Sequence, residues 1–132
     1  MEDFVPFKLA QKLKEKGFKE QCLAYYTKDS CFYYNTSYGS DVENAFKSFN
    51  SRPNHICGKR IDAPTISQVL KWLRDEKGIH VCIALGEFSD WMYDVSRIDG
   101  NMFCKAEDDF KSYEQAALAG IEYVLDNLDN LI

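Results

Sequence analysis

Helical spacing opens the chain. Phe7, Ala10 and Leu13 fall on one face between Pro6 and Lys16, and this predicts a first helix. Pro6 suits a first helical position, and Gly17 supplies a left-handed stop. The pattern then shifts to a strand near Gln21–Tyr26. Thr27-Lys28-Asp29-Ser30 has turn chemistry, and Cys31–Asn35 reads as the returning strand of a hairpin.

Both periods dissolve in residues 36–63, where Gly39, Asn50, Pro53, Asn54 and Gly58 interrupt every pattern. Only residues 41–49 would allow a short helix. So long an irregular stretch in a small domain is usually functional, mobile or a poorly read element.

Order returns at Pro64. Thr65 and Gln68 form a capping box ahead of the stripe Ile66, Val69, Leu70 and Leu73, with Trp72 at its margin and Gly78 as the stop. Ile79, Val81, Ile83 and Leu85 then alternate on one face of a strand, leaving His80, Cys82 and Ala84 on the other. After a turn at residues 86–90, Trp91, Tyr93 and Val95 line a second strand. Asp99-Gly100 is a favoured two-residue turn, which makes residues 101–106 a third strand. A second capping box, Ser112 with Gln115, opens a last helix that is expected to bury Tyr113, Ala117, Ile121, Val124 and Leu128. The sequence therefore predicts an α+β fold, a mainly antiparallel sheet with helices on one face. Its order is α-β-β-(irregular)-α-β-β-β-α. Whether the two halves share one sheet is left open.

Composition narrows the class. With 132 residues, 45% hydrophobic and 14% aromatic, the chain suits a single domain over residues 1–132 with an ample core. No apolar run approaches the ~20 residues of a membrane span. Met1-Glu2-Asp3-Phe4 is acidic where a secretory signal would be basic, so the expected location is cytoplasmic. Five widely spaced cysteines, an odd number, fit reduced thiols in that compartment.

The net charge of −5 is unevenly distributed. Residues 1–63 carry ten Lys/Arg against eight Asp/Glu, and residues 64–132 carry six against thirteen. An acidic second half argues against binding a nucleic-acid backbone, which relies on clustered Lys and Arg.

The second half, helix, three-stranded meander, helix, resembles the double-stranded-RNA-binding domain in topology. The small-residue rhythm of Ser112-Tyr113-Glu114-Gln115-Ala116-Ala117-Leu118-Ala119 is also similar to that family's. Where such domains hold phosphates with a lysine cluster, this chain has Glu107-Asp108-Asp109 and a lone Lys111. Ala63-Pro64-Thr65-Ile66-Ser67-Gln68-Val69-Leu70-Lys71-Trp72-Leu73-Arg74, Trp91-Met92-Tyr93 and the helix from Ser112 also resemble segments of small hypothetical proteins from gut bacteria and their phages. That resemblance implies a fold and a phage or mobile-element setting, without an activity.

Candidate chemistry is sparse. Two His-x-Cys pairs, His55/Cys57 and His80/Cys82, would present imidazole and thiolate together on strands and would make an N2S2 zinc site. Their spacing matches no standard structural zinc motif. A nucleophilic Cys57 with His80 or His55 as base would also need an orienting group and an oxyanion hole, and the sequence offers neither. Glu107, Asp108 and Asp109, like Glu87, Asp90 and Asp94, read as solvated charge. The first three are placed before a helix N-terminus, where they would favour its dipole. No cofactor motif is present, and the balance leans against an enzyme. Trp72, Trp91 and Tyr93 leave room for a small-molecule pocket.

The tyrosines carry the remaining signal. Tyr25, Tyr26, Tyr33, Tyr34 and Tyr38, with Phe32, make both faces of the first hairpin aromatic, more than one buried face requires. Tyrosine favours protein interfaces. The expectation is a small cytoplasmic accessory protein acting by protein–protein contact, with an unknown partner or as a homodimer. Zinc binding or Cys-dependent catalysis is the alternative, and nucleic-acid binding through the second half is disfavoured.

Overall fold

The computed structural model describes residues 3–34, 60–86, 89–99 and 103–131. The chain divides into two compact units, Glu2–Thr65 and Ile66–Ile132. The α+β class and the expected order of elements are both present, with the strands distributed over two antiparallel sheets.

The first unit holds α1 (Phe7–Glu15), β1 (Ala24–Tyr26), β2 (Phe32–Tyr34) and β3 (Ile61–Asp62). Pro6 stands one residue ahead of the helix in extended geometry. Leu9, Ala10 and Leu13 form the buried stripe, and Gly17 at φ +95° ends the helix. The Phe18 N–H then donates to the Leu13 carbonyl at 2.9 Å. β1 lies between β2 and β3, pairing Ala24 with Tyr34, Tyr25 with Tyr33 and Tyr26 with Phe32. On its other side Tyr25 faces Asp62 and Tyr26 faces Ile61. The turn works as its chemistry implied: Thr27 N–H donates to the Cys31 carbonyl at 2.9 Å, with Ser30 at φ +63°. Val5 N–H donates to the Pro64 carbonyl at 3.0 Å, which fastens the start of the chain to the end of this unit. β3 falls inside the segment expected to be irregular. Its two residues have no pattern of their own, and pairing with β1 makes the strand.

The second unit holds α2 (Ile66–Lys77), β4 (Ile79–Leu85), β5 (Trp91–Arg97), β6 (Phe103–Phe110), α3 (Tyr113–Asp126) and the short α4 (Leu128–Leu131). The sheet is a meander in the order β4-β5-β6, and α3 packs on all three strands. α2 packs against β4 and α3. Ile79, Val81, Tyr93 and Val95 are the buried sheet positions, matched by Ala116, Ala117, Ile121, Val124 and Leu125 from α3. Close approach depends on Gly120. A Cβ there would stand 2.8 Å from Val81 Cγ1 and 3.1 Å from the Tyr93 ring. Ser112 Oγ accepts the Gln115 N–H at 3.1 Å, as the capping box predicts, while Gln115 Oε1 accepts from Lys111 N–H rather than from the cap residue.

Four details differ from the sequence reading. β6 continues to Phe110, so Glu107, Asp108 and Asp109 are strand residues rather than a prelude to a helix. Asp109 has φ +72°, and the ladder shifts register between Trp91 and Tyr93, so one extra residue bulges out of β6. Charged residues and a bulge on an outer strand discourage further pairing. Tyr113, the first residue of α3, is exposed and meets the Trp91 ring edge-on at 5.7 Å. Trp72 is buried, with the Lys77 ammonium 5.3 Å from its ring.

Candidate interaction surface

Strand alternation sorts the hairpin aromatics into two sets, one on each face of the β1–β3 sheet. Tyr25 and Tyr33 share a face with Asp62, and Tyr26, Phe32 and Tyr34 share the other with Ile61.

On the first face the Tyr25 and Tyr33 rings stack, with centroids 5.6 Å apart and planes 26° apart. The Arg60 guanidinium lies 3.9 Å from the Tyr25 centroid, a close cation–π contact. Arg60 is buried, and its carbonyl accepts a hydrogen bond from Lys14 Nζ at 3.1 Å. Asp62 Oδ1 is buried without a hydrogen-bond partner among the described residues. Burial raises the Asp62 carboxyl above the usual carboxylate range, against the pull of Arg60 and Lys14. Cys22 lies wholly inside, its thiol pushed up by burial and then by Asp62 and Glu20, which makes it an unreactive core group.

On the second face the rings form a continuous cluster of edge contacts. Phe4 meets Phe32 at 5.3 Å and Tyr34 at 5.6 Å, and Phe32 meets Tyr34 at 5.0 Å. Tyr26 joins Phe32 at 5.3 Å to Phe7 of α1 at 5.5 Å. The Tyr26 hydroxyl donates to the Val5 carbonyl at 2.7 Å, so this ring is anchored at its polar end. Tyr33 and Tyr34, by contrast, are 47% and 49% exposed. The hairpin thus presents an exposed tyrosine on each face, Tyr33 backed by Tyr25 and Tyr34 by Phe4 and Phe32. Tyr38 lies outside the described residues.

Of the two His-x-Cys pairs, His55 and Cys57 lie outside the described residues. His80 and Cys82 share one face of β4, opposite Ser96 and Asp94. Burial first and Asp94 second raise the Cys82 thiol, the reverse of what a nucleophile requires. Among the described residues no three His, Cys, Asp or Glu side chains gather as a metal would need. Tyr93 is a packing residue, 1% exposed, whose hydroxyl donates to Glu107 Oε2 at 2.9 Å. Lys111 precedes α3 in a stretch that also holds Asp108, Asp109 and Glu114.

Arg60 and Lys14 carry no signal in the sequence. Their contact spans 46 positions, and the only local trace is the polar-apolar-polar triplet Arg60-Ile61-Asp62. No helix among the described residues is long and apolar enough to cross a membrane. Comparison with known protein families, with curated proteins and with solved structures returned no match.

Proposed function

We propose that this protein acts by protein–protein contact through the aromatic hairpin sheet of its first unit. The observation that carries the reading is the exposure of Tyr33 and Tyr34 on opposite faces of one short strand, Tyr33 stacked on Tyr25 and Tyr34 set against Phe4 and Phe32. Rings held in place lose little conformational freedom on binding, and tyrosine brings both apolar area and a hydroxyl. The partner is another protein or a second copy of this chain. Sedimentation across a concentration series, with pulldown from cells expressing the chain, tests this. The wild type should self-associate or retain a partner, and the Tyr33→Ser/Tyr34→Ser variant should lose it while keeping its circular dichroism. A wild type that stays monomeric and retains nothing would end this reading.

A further inference from the structure

A groove of about 270 Å³ opens beside the aromatic cluster in the first unit, lined by Phe7, Gln11, Lys14, Glu15, Lys28 and Ile61. The four residues from α1 recur at i, i+4, i+7 and i+8, a single stripe of the helix. Ile61 comes from β3, and Lys28 from the turn after β1. We infer that this groove docks an acidic segment of a protein partner by one apolar side chain, with an adjacent carboxylate held by Lys14 and Lys28.

Three observations support that occupant, and the inference rests on the protein–protein reading above. The first is size. Pockets for drug-sized ligands run from about 300 to 1,000 Å³. This groove falls just short, which fits one side chain and its flanks better than a whole cofactor.

The second is charge. Two ammonium groups and one carboxylate line the groove beside the Gln11 amide and the apolar Phe7 and Ile61, leaving a single positive charge in excess. Lys14 is also pre-positioned, since its Nζ is held at 3.1 Å by the Arg60 carbonyl and keeps further N–H groups for a carboxylate. The third is continuity. Phe7 lines the groove and touches Tyr26, the ring that leads on to Phe32 and Tyr34, so one bound segment would cover both.

The test is an NMR titration of the full chain with a blocked pentapeptide that has a phenylalanine between two aspartates. The amides of Phe7, Lys14, Lys28 and Ile61 should shift together and saturate. Exchanging both aspartates for asparagine should weaken binding about two- to thirtyfold, as expected for two exposed charge pairs of about 0.2–1 kcal/mol each. Exchanging the phenylalanine for alanine should abolish it. These controls alter only the peptide, so they leave the fold of the protein untouched. Lys28→Gln, at an exposed turn, should weaken the aspartate peptide and leave the asparagine peptide unchanged.

Equal binding of both peptides, shifts centred elsewhere, or benzoate binding as tightly as the peptide would each overturn the inference. If the peptide fails while the Tyr33→Ser/Tyr34→Ser variant still loses its partner, the groove is wrong and the hairpin reading stands. If the peptide binds and no association involves the tyrosines, the hairpin reading is the one that falls.

Discussion

In the meander β4–β6 the strands run seven or eight residues, and one face is sealed by α3. In the β1–β3 sheet no strand exceeds three residues among those described, and rings line both faces. Tyr93 and Tyr34 mark the contrast. Tyr93 is 1% exposed beneath Gly120 with its hydroxyl fixed on Glu107, whereas Tyr34 is 49% exposed and leans on Phe4 and Phe32. The same residue type is part of a core in one sheet and part of a surface in the other. A long ladder with a helix over it buries its aromatics, and a short ladder leaves some of them half in water.

The largest expected effect breaks the core side of that contrast. Gly120→Val would drive a branched side chain into Val81, already 2.8 Å from the missing Cβ, and into the Tyr93 ring. Both neighbours are buried, and valine at position 81 is stiff about its first torsion. A loss of about 3 kcal/mol is expected by chemical denaturation. Gly120→Ala should cost less, about 1–2 kcal/mol, because alanine recovers up to about 1 kcal/mol of helix propensity. No loss in either variant would show that α3 does not need its close seat on the sheet.

A smaller effect comes from the Tyr93 hydroxyl. Tyr93→Phe should cost about 1 kcal/mol at neutral pH, since it removes one hydrogen bond and leaves Glu107 in water. Burial, then the hydrogen bond and charge of Glu107, raise the Tyr93 pKa above its ordinary value of 10.0. The folded state therefore holds this proton more tightly than the unfolded chain. The corresponding stability is intact below pH 10 and is lost as pH rises beyond it. Melting temperatures should fall more steeply above pH 10 in the wild type than in Tyr93→Phe. Parallel curves would mean that the hydroxyl is solvated.

Asp62 gives a change of opposite sign in the first unit. Its carboxyl is also raised, so its ionisation near neutral pH works against folding. Asp62→Asn should raise the melting temperature at pH 7 and give no gain at pH 3, where the wild-type carboxyl is already protonated in both states. A variant less stable at pH 7 would mean that attraction by Arg60 and Lys14 outweighs the cost of burial.

These positions also show what the sequence could reveal. The elements of the second unit are legible because each carries its own signal: Gly78 at φ +67°, the Ser112–Gln115 cap, and the alternation Ile79, Val81. The pattern ends β6 four residues early, since Glu107, Asp108 and Asp109 look unlike a strand when only their charge is visible. Asp62 and Arg60 are not legible as part of a site. Their environment is made by Tyr25 and Lys14, more than thirty positions away, and β3 exists only through its pairing with β1. The tyrosine set itself is legible by count. Its division into an Arg60-capped row and a Phe4–Phe32–Tyr34 cluster is not, because that depends on register.

A small expected effect on stability, no larger than that of Tyr93→Phe, is the most telling for the contrast between the sheets. Tyr34→Ser removes a ring that is about half in water, and its neighbours Phe4 and Phe32 keep each other as partners at 5.3 Å. Exposed aromatic pairs contribute about 0.5–1.5 kcal/mol beyond area burial, and serine restores none of it. The loss should therefore sit near 1 kcal/mol, well below Gly120→Val. Tyr33→Ser should cost less still, since Tyr25 remains covered by Arg60. If either substitution proved as damaging as a change beneath α3, the hairpin rings would belong to a core, and the proposed contact surface would have to be sought elsewhere.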